Sequence, residues 1–356
     1  MHPRPEKTRG AASNRTGRFE ALTVERVDDG WGIADEELPP LATTVQPEPA
    51  HSVITRNNSP DIPFELSVNP YRGCESGCIY CYARPSHQYL NLSAGLDFET
   101  RLFYKKDAAP HLREELNRKS YKCSPINLGA NTDPYQPIER RLGVTRSILE
   151  VLAEAHHPVT VITKHALVVR DIDVLSRLAA EQLVKVFVSV TTLDDELKRR
   201  MEPRAASPGA RLAAIGKLVA AGIPTGVIYA PVVPAINDHE LEAVLEAAAA
   251  QGASTAGYVL LRLPGEVKDL FYEWLELHYP ERVSKVRNRI RELRGGRDND
   301  SRFGHRMRGQ GTWAALLKSR FEASCRKNGL GSGRAAPLTT ALFRPPNRSP
   351  DQMELW

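Results

Sequence analysis

The chain of 356 residues has no long apolar segment and few cysteines. A membrane-spanning helix needs about 20 consecutive apolar residues, and no run in the sequence approaches that length, so we expect no membrane association. The opening segment, MHPRPEKTRGAASNRTGRFE, lacks the hydrophobic region of a secretory signal. The five cysteines, three of them clustered, do not form the pattern of a disulfide-bonded secreted protein. These absences predict a cytoplasmic location, where clustered thiols usually bind metal.

Acidic residues are scarce in one late part of the chain. Residues 281–348 contain 17 Lys and Arg against 5 Asp and Glu, a net charge of +12, whereas residues 1–280 carry a net charge of −5. A basic field concentrated in one segment can recruit a polyanion such as nucleic acid. A solvated, partly disordered basic tail is the alternative.

Beyond residue 60, short apolar segments alternate with amphipathic helical patterns. The six apolar segments are FELSVNP, SPINLGAN, PVTVITK, VKVFVSV, IPTGVIYAP and TAGYVLLRLP. Such alternation predicts βαβ units and a parallel sheet, which right-handed crossovers curl toward a barrel. Six units are too few for the usual closure of eight strands. We therefore predict an α/β fold with a partial (βα)6 TIM-like barrel whose chemistry lies at the carboxyl ends of its strands.

The composition divides the chain into four regions. Residues 1–60 are predicted to be a mostly extended or disordered lead-in, because they are polar and lack periodicity. Residues 61–265 form the barrel. Residues 266–335 form a basic helical extension, and residues 336–356 form a Pro-rich tail that ends in a hydrophobic peptide.

Three cysteines lie close together in the segment YRGCESGCIYCYARPSH, directly after the first predicted strand. Cys74, Cys78 and Cys81 have the spacing C-x3-C-x2-C. Thiolates are the usual ligands of a [4Fe–4S] cluster, and three of them leave one of its four irons free to chelate a substrate. The alternative is a structural Cys3His zinc site completed by His87. Zinc sites, however, usually pair two ligands with a second pair more than ten residues away.

The spacing C-x3-C-x-aromatic-C after the first strand of a six-unit barrel resembles the signature of the radical S-adenosylmethionine (SAM) superfamily. The segments NPYRGCESGCIYCYARPSH, GANTDPYQPIE, SVTTLDDELKRRMEPRAASP and PVVPAINDHE resemble its spore photoproduct lyase branch, often described as DNA repair photolyase-like. The resemblance covers about residues 50–265. It implies a [4Fe–4S] cluster that binds SAM and, once reduced by one electron, cleaves it to methionine and a 5′-deoxyadenosyl radical. An electron donor such as flavodoxin or ferredoxin would be a partner.

The resemblance also implies roles for single residues. Cys74, Cys78 and Cys81 would bind the cluster. Tyr80, the aromatic residue before the last of these cysteines, would lie against the adenine of SAM, although it could equally be a core aromatic. No catalytic residue is assigned by the resemblance.

Polar residues at or near the ends of the later strands are further candidates for SAM binding. Those at the ends of the second, third and fourth strands are Asn131, Thr132, Asp133, Lys164, Ser189 and Thr191. In the family that this chain resembles, the position of the first three residues binds the methionyl end of SAM and more commonly carries Gly-Gly-Glu. The resemblance implies that Lys164 pairs with the SAM carboxylate. It also implies that the hydroxyls of the last two residues reach the ribose. Each could equally serve strand-end solvation or capping alone. Glu202 and Arg204, in MEPRAASP, either contact the ligand or hold their loop through a salt bridge.

Arginines are the candidates for substrate binding. Arg262 ends the apolar sixth strand, where a charge is costly unless it is paired or binds a phosphate or carboxylate. Arg306 and Arg308 are interleaved with aromatic residues such as Phe303 in the basic extension. This pattern is typical of surfaces that bind phosphates and stack bases. The same segment could instead close the open side of the partial barrel.

Two cysteines lie outside the motif. Spore photoproduct lyase-type chemistry can use a cysteine as hydrogen donor, but Cys123 precedes its strand, at the floor of the barrel. Cys325 recurs with Leu317 and Phe321 on one helical face. We predict that both thiols are packed as small hydrophobic groups.

The last five residues, QMELW, resemble the peptide by which bacterial repair proteins dock on the sliding clamp. Leu355 and Trp356 would enter an apolar pocket while Gln352 hydrogen-bonds at its edge. The alternative is a hydrophobic patch that folds back on its own domain. A flexible Pro-rich tether favours docking.

Together these features predict a radical SAM enzyme of lyase or transferase type that acts on a nucleic acid, in DNA repair or base modification. One alternative is radical modification of a protein or a small molecule. Another is a non-catalytic zinc-containing protein that binds nucleic acid.

Overall fold

The computed structural model describes residues 9–14, 41–50, 52–332 and 337–346. In these ranges the strands are β1 (Thr44–Glu48), β2 (Ile54–Arg56), β3 (Leu66–Val68), β4 (Tyr71–Arg72), β5 (Arg101–Lys105), β6 (Ile126–Leu128), β7 (Val159–Thr163), β8 (Val184–Ser189), β9 (Thr225–Val232), β10 (Thr255–Leu260) and β11 (Gly331–Ser332). The helices are α1 (Asp97–Thr100), α2 (Ala108–Leu116), α3 (Glu139–Leu142), α4 (Val144–Glu154), α5 (Ile172–Ala180), α6 (Asp195–Met201), α7 (Pro208–Ala220), α8 (Leu241–Ala250), α9 (Val267–His278), α10 (Val283–Leu293) and α11 (Gly311–Lys327). Within these ranges no helix has the length and hydropathy that crossing a membrane requires.

The main sheet has eight strands in the order β11–β10–β9–β8–β7–β6–β3–β2. Strands β3 and β6 to β11 pair in parallel, and β2 is antiparallel to β3 at the edge. The strands β3 and β6 to β10 are those predicted from the six apolar segments, and they lie side by side in chain order with helices between them. Successive right-handed βαβ units give this order. The predicted α/β fold with a partial TIM-like barrel is confirmed.

Every second residue of the strands packs against the helices that cover the outside of the barrel. Val161 of β7 and Val186 of β8 are fully buried in the same core as Ile148 of α4 and Leu175 of α5. Burying one such side chain stabilises the fold by about 1.5–3 kcal/mol relative to leaving it exposed. Lys185, between two buried valines of β8, has the opposite orientation and is half-buried. The inner face of the barrel is therefore in part accessible.

A second sheet holds the segment that precedes the cysteines. Its three strands have the order β1–β5–β4, with β1 parallel and β4 antiparallel to β5. Strand β4 ends at Arg72, so the cysteine loop begins where this sheet ends. Part of the lead-in predicted as extended is thus ordered by pairing, since β1 belongs to it.

The basic extension contacts both edges of the barrel. The Leu260 N–H at the end of β10 donates to the Met307 carbonyl at 3.0 Å. Arg306 Nε donates to the carboxylate of Asp61 at 2.5 Å, and Asp61 belongs to the loop between β2 and β3. The extension therefore spans the open side of the partial barrel, which was one of the two predicted alternatives.

The tail at residues 337–346 lies against the amino ends of the strands. Phe343 packs on Tyr121 and His157, with ring centroids 5.5 and 5.4 Å apart, and both of these residues precede barrel strands. The tail thus crosses the end of the barrel opposite to the carboxyl ends of the strands. The peptide Gln352–Trp356, predicted to dock on a sliding clamp, lies outside the described residues.

Candidate active site

The cysteine loop, residues 73–81, is held tightly where it leaves the small sheet. The Cys74 N–H donates to the Phe98 carbonyl at 2.9 Å. Gly73 has a φ of +74°, and a Cβ there would lie 2.7 Å from Leu102 and 2.9 Å from the Phe98 carbonyl. Only glycine fits such a turn without strain, so the position of the first cysteine is fixed by the backbone.

The three cysteines of this loop are at least half-buried and form no disulfide. Cys74 and Cys78 are each 7% exposed, and Cys81 is half-buried; all three are free thiols. Burial raises the pKa of Cys74 to about 12 and also raises the pKa values of Cys78 and Cys81. A nucleophilic cysteine needs a lowered pKa, which these residues lack. A metal deprotonates a coordinated thiol outright, so these raised pKa values do not oppose coordination.

His87 has partners other than these thiols. Its Nε2 lies 2.8 Å from the Arg101 carbonyl oxygen, and its ring packs edge-on against Phe98 with centroids 5.2 Å apart. Within the described ranges, no group of three or more His, Cys, Asp or Glu side chains is placed to hold one metal ion. A zinc site needs four ligands around one point, whereas a cluster takes its thiolates at separate iron corners. His87 is therefore engaged by groups other than the thiols that a Cys3His zinc site would need beside it.

Beside the loop, four side chains converge on the carboxylate of Glu202, which is fully buried. Tyr80 Oη and Arg211 Nη2 donate to it in short hydrogen bonds, Thr191 Oγ1 donates at 2.6 Å, and Lys164 Nζ lies 3.3 Å away. Burial raises the pKa of Glu202, and the charge of Arg211 opposes that rise. The structure thus brings Tyr80, Lys164, Thr191 and Glu202 together at the carboxyl ends of the strands.

The Lys164 ammonium is the part of this group that a ligand can reach, since 18% of its side chain is exposed. Its Nζ donates to Ser189 Oγ at 2.7 Å and to the Ala230 carbonyl at 3.3 Å, and it lies 5.6 Å from the centroid of the Tyr80 ring. Burial lowers the pKa of Lys164 to about 8. A cation that has lost part of its hydration gains from binding an anion, so Lys164 can hold a carboxylate.

The residues after β6 differ in how fully they are engaged. Asp133 ties two strand ends together, because its carboxylate accepts from Thr163 Oγ1 and from the Lys164 N–H, each at 2.7 Å. Thr132 Oγ1 donates to a backbone carbonyl of β4 at 3.3 Å. Asn131 has an exposed side chain. Asp133 and Thr132 therefore have structural partners next to Cys74, and Asn131 faces solvent.

Arg204 and Glu202 are close in sequence but do not pair with each other. Arg204 Nη2 donates to Glu75 Oε1 at 2.9 Å, and the Arg204 N–H donates to the Ser76 carbonyl at 3.3 Å. Arg204 thus fastens the segment after α6 to the cysteine loop, while Glu202 pairs with Arg211. A salt bridge does hold this loop, with partners that the spacing did not indicate.

Two further buried polar residues of the site were not predicted. His165 Nε2 lies 2.8 Å from Ser76 Oγ, which in turn accepts a hydrogen bond from the Cys74 thiol at 3.2 Å. Arg211 lies on the buried face of α7 together with Ile215. A cation at an apolar position of an amphipathic helix indicates a buried partner, and that signal could have identified Arg211.

A second group of residues, the mouth cluster, surrounds the position after Cys81. Its members are Tyr82, Arg262, Phe303, Arg306 and Met307. The Arg262 guanidinium lies 5.2 Å from the centroid of the Tyr82 ring and 3.8 Å from Met307 Sδ, and the Arg306 guanidinium lies 4.7 Å from the Phe303 ring. Tyr82 and Phe303 are 45% and 56% exposed. Cations and exposed aromatic rings therefore meet at the barrel mouth.

The three predicted substrate arginines differ in their partners. Within the described residues, no carboxylate lies within ion-pair distance of Arg262, whereas Arg306 pairs with Asp61 at 2.5 Å. Burial lowers the pKa of Arg262, and the charge of Arg306 lowers it further. Arg308 is exposed and stacks on Tyr258 at 4.2 Å, outside the mouth cluster. Arg262 is thus the arginine of the three that most favours an anionic ligand.

The two cysteines outside the motif are distant from this chemistry. Cys325 is 1% exposed and packs in the core with Leu317 and Phe321, as predicted. Cys123 is half-buried before β6, and burial raises its pKa to about 11. Its place before the strand puts Cys123 at the amino end of the barrel.

Comparison with known proteins identifies the family. The family model of the radical SAM superfamily matches residues 68–248. The chain is 39% identical over 236 residues to an uncharacterized protein of Mycobacterium tuberculosis, covering 66% of this chain and 69% of that protein. It is 26% identical over 222 residues to an uncharacterized protein of Methanocaldococcus jannaschii, covering 62% of this chain and 79% of that protein.

Among solved structures, the fold is similar to that of spore photoproduct lyase. A cysteine variant of that enzyme with bound AdoMet and dinucleoside spore photoproduct has a TM-score of 0.59 and 17% identity, over 81% of this chain and 80% of that chain. Its complex with the dinucleoside spore photoproduct also has a TM-score of 0.59, with 16% identity over 81% of each chain. The family match over half of the sequence shows that the chain belongs to the radical SAM superfamily, whose members bind a [4Fe–4S] cluster and SAM.

Proposed function

We propose that this radical SAM enzyme, of lyase or transferase type, acts on a nucleic acid that binds at the mouth cluster. The observation that supports this substrate class is Arg262, a half-buried guanidinium without a carboxylate partner in the described part of the chain, stacked on the exposed Tyr82. A phosphate would satisfy the guanidinium, and a base could stack on an exposed ring for about 1–3 kcal/mol. The cluster, when bound, supplies the electron that cleaves SAM to methionine and a 5′-deoxyadenosyl radical.

In this proposal the cysteine loop holds the cluster, and the residues around Glu202 hold SAM. Cys74, Cys78 and Cys81 provide the thiolates, and Lys164 pairs with the SAM carboxylate. The remaining SAM contacts are assigned to residues at the same end of the barrel: Tyr80, Asn131, Thr132, Asp133, Ser189, Thr191, Glu202 and Arg204. Of these, Thr132, Asp133, Thr191, Glu202 and Arg204 act by positioning, because protein groups already take their hydrogen bonds.

At the mouth, the basic extension would help to hold the substrate. Arg306 is paired with Asp61, so its first role is to hold the extension across the barrel, and its stacked Phe303 remains exposed. Arg308 would add a phosphate contact at the edge. The likeness to the fold that binds a dinucleoside photoproduct supports a nucleic-acid substrate only at the level of the fold.

Binding measurements with Arg262→Gln test the substrate class. We expect the unmodified protein to bind fluorescent single-stranded DNA or RNA with an affinity that falls as salt rises. Arg262→Gln should weaken this binding about tenfold and reduce the slope of log affinity against log salt by about 0.7. The matched control is Arg289→Gln, in which an exposed arginine of α10 with a neighbouring Glu292 is neutralised.

The outcome decides between substrate classes. Without salt-dependent affinity in the unmodified protein, the substrate is a protein or a small molecule, and the same radical chemistry remains. Equal losses in both variants would reduce the effect to net charge and remove Arg262 from the site.

Metal analysis tests the cofactor assignment independently of the substrate. Protein purified without oxygen should contain about four irons and four sulfides, with a broad brown absorption band that Cys78→Ala abolishes. One zinc and no iron, even after reconstitution, would favour the non-catalytic zinc protein instead.

Three further parts of the proposal concern surroundings and partners. We place the enzyme in the cytoplasm, since all five of its cysteines are free thiols, with flavodoxin or ferredoxin as electron donor. We assign Gln352–Trp356 to a sliding clamp. Deleting those five residues should abolish co-elution with the purified clamp; retained co-elution would refute the assignment.

A further inference from the structure

Residues 9–14, termed the strap, lie against the cysteine loop, and residues 9–11 of the strap are buried. Arg9 and Ala11 are 7% and 1% exposed. Ala11 packs in the same apolar cluster as Cys78 and Ile79 of the loop. A segment from the polar lead-in thus forms part of the wall behind the second cysteine.

Glu99, which belongs to α1, connects the strap to the loop. Its two carboxylate oxygens accept the N–H groups of Gly10 and Ala11, each at 2.9 Å. Arg84 forms an ion pair with the same carboxylate, and both side chains are fully buried. Arg84 Nε also donates to the Cys78 carbonyl at 2.9 Å. A continuous series of charge-assisted hydrogen bonds therefore runs from the strap backbone to the backbone of the second cysteine.

The strap and the loop are also in direct backbone contact through two glycines. A Cβ added at Gly10 would lie 1.7 Å from the Gly77 carbonyl oxygen. Gly77 has a φ of +66°, and a Cβ there would lie 2.8 Å from the Glu99 carboxylate. Any side chain at Gly10 must move the strap, the loop or both.

Elements outside the loop hold the strap in place. Arg9 Nη2 donates to the Leu41 carbonyl at 2.7 Å. Ser13 Oγ donates to the Glu273 carboxylate of α9 at 2.7 Å. The strap is therefore fixed near both of its ends, and it can transmit that rigidity to the loop.

We propose that the strap is a positioning element for the iron–sulfur cluster. It holds the cysteine loop in its ligand-presenting conformation before the cluster assembles, and it keeps water and oxygen from the Cys78 side of the assembled cluster. This inference rests on the proposed function, in that the loop is taken to hold the cluster. It adds that residues outside the family match at 68–248 are required for that task.

The test compares Gly10→Ala with Gly209→Ala. Each variant adds one methyl group, but a Cβ at Gly209, near the start of α7, meets no atom within 4 Å. In the apo-protein, Gly10→Ala should speed amide hydrogen exchange over residues 73–81 about tenfold, the effect of losing roughly one charge-assisted hydrogen bond. In the loaded protein, iron loss in air should be faster by a similar factor. Gly209→Ala should change neither rate.

Further variants keep the result interpretable. Glu99→Gln keeps the shape of the side chain and removes its charge, so it should act in the same direction as Gly10→Ala. Circular dichroism and melting temperature identify a variant that has unfolded. If Gly10→Ala unfolds, the test rests on Glu99→Gln and on the unmodified protein. In the unmodified protein, the amide hydrogens of Gly10 and Ala11 should exchange as slowly as those of the loop.

Two results would overturn different statements. An unmodified protein that never binds iron would overturn the proposed function. An unmodified protein with a full cluster, accompanied by strap variants that match it in exchange and in iron loss, would overturn the strap proposal alone.

Discussion

The buried pair between Arg211 and Glu202 determines how firmly the part of the site proposed to bind SAM is held. The Arg211 and Glu202 side chains are 2% and 0% exposed. Arg211 also donates to the carbonyls of Ala206 at 2.9 Å and Ser189 at 3.0 Å. The substitution Arg211→Met puts an unbranched apolar side chain of similar length in place of the arginine and removes all of these donors.

The expected loss of stability follows from these contacts. Removing one partner of a buried ion pair costs about 3–5 kcal/mol, because the other charge stays buried. Lys164 remains 3.3 Å from Glu202 and lowers that cost, while two carbonyls lose their donors at about 1–3 kcal/mol each. We expect Arg211→Met to lower the free energy of unfolding by at least about 4 kcal/mol at neutral pH.

Urea unfolding of the reduced apo-protein, followed by circular dichroism, measures this loss. The matched control is Arg289→Met, in the pair with Glu292, where the side chains are 38% and 47% exposed. That variant should lose no more than about 0.5 kcal/mol. A loss below about 1.5 kcal/mol for Arg211→Met would refute the reasoning, since it would mean that Glu202 needs no guanidinium.

A double variant separates the charge from the packing. Arg211→Met combined with Glu202→Gln removes both charges of the pair and leaves only Lys164 without its carboxylate, so it should be less destabilised than the sum of the two single changes. Additive losses would show that the ion pair itself contributes little.

Three other predictions concern separate parts of the molecule. Burial lowers the pKa of His157 to about 4, against about 6.5 in the unfolded chain. The contribution of neutral His157 to the free energy of unfolding is therefore fully present above pH 6.5, and up to about 3 kcal/mol of it is lost as the pH falls to 4. Urea unfolding across this range should show the fall, and His157→Gln should remove it; an equal slope in the variant would assign the effect elsewhere. Lys164→Met should raise the Kd of the loaded enzyme for SAM at least about tenfold in equilibrium dialysis, and an unchanged Kd would remove Lys164 from the SAM site. Asp61→Asn frees Arg306 and deletes a negative charge at the mouth, so binding of single-stranded DNA should tighten about threefold at low salt; weaker binding would show that the closed extension is what the substrate requires.

The strands, and the meeting of polar residues at their carboxyl ends, were predictable because their signals are local. The segment PVTVITK alternates buried and half-buried residues, and β7 occupies Val159–Thr163 within it. Parallel strands bring their carboxyl ends to one edge of the sheet. Lys164 and Thr191, each placed after a different predicted strand, could therefore be expected to meet, and both lie within hydrogen-bonding or ion-pair reach of Glu202.

The partners of the charged residues were not predictable, because tertiary packing and not spacing selects them. Glu202 and Arg204 are two residues apart, yet Arg204 pairs with Glu75, 129 positions away. The contact between Gly10 and Glu99 spans 89 positions and begins in a segment with no periodicity. Nothing local in such a segment indicates where it will lie, so the strap becomes visible only in the folded chain.

The distribution of charge compensation separates the two ends of the site. On the cofactor side, the buried carboxylates have guanidinium partners: Arg211 for Glu202 and Arg84 for Glu99. At the mouth, the half-buried Arg262 lacks such a partner in the described part of the chain. A protein recovers the cost of burying a charge either through a permanent counter-charge or through a ligand. Permanent counter-charges suit the proposed cofactor pocket, which must keep one shape, and a cation without an ion-pair partner suits a substrate that enters and leaves. The substrate is therefore to be sought among anions with an aromatic group to stack on Tyr82, and nucleic acids combine both features.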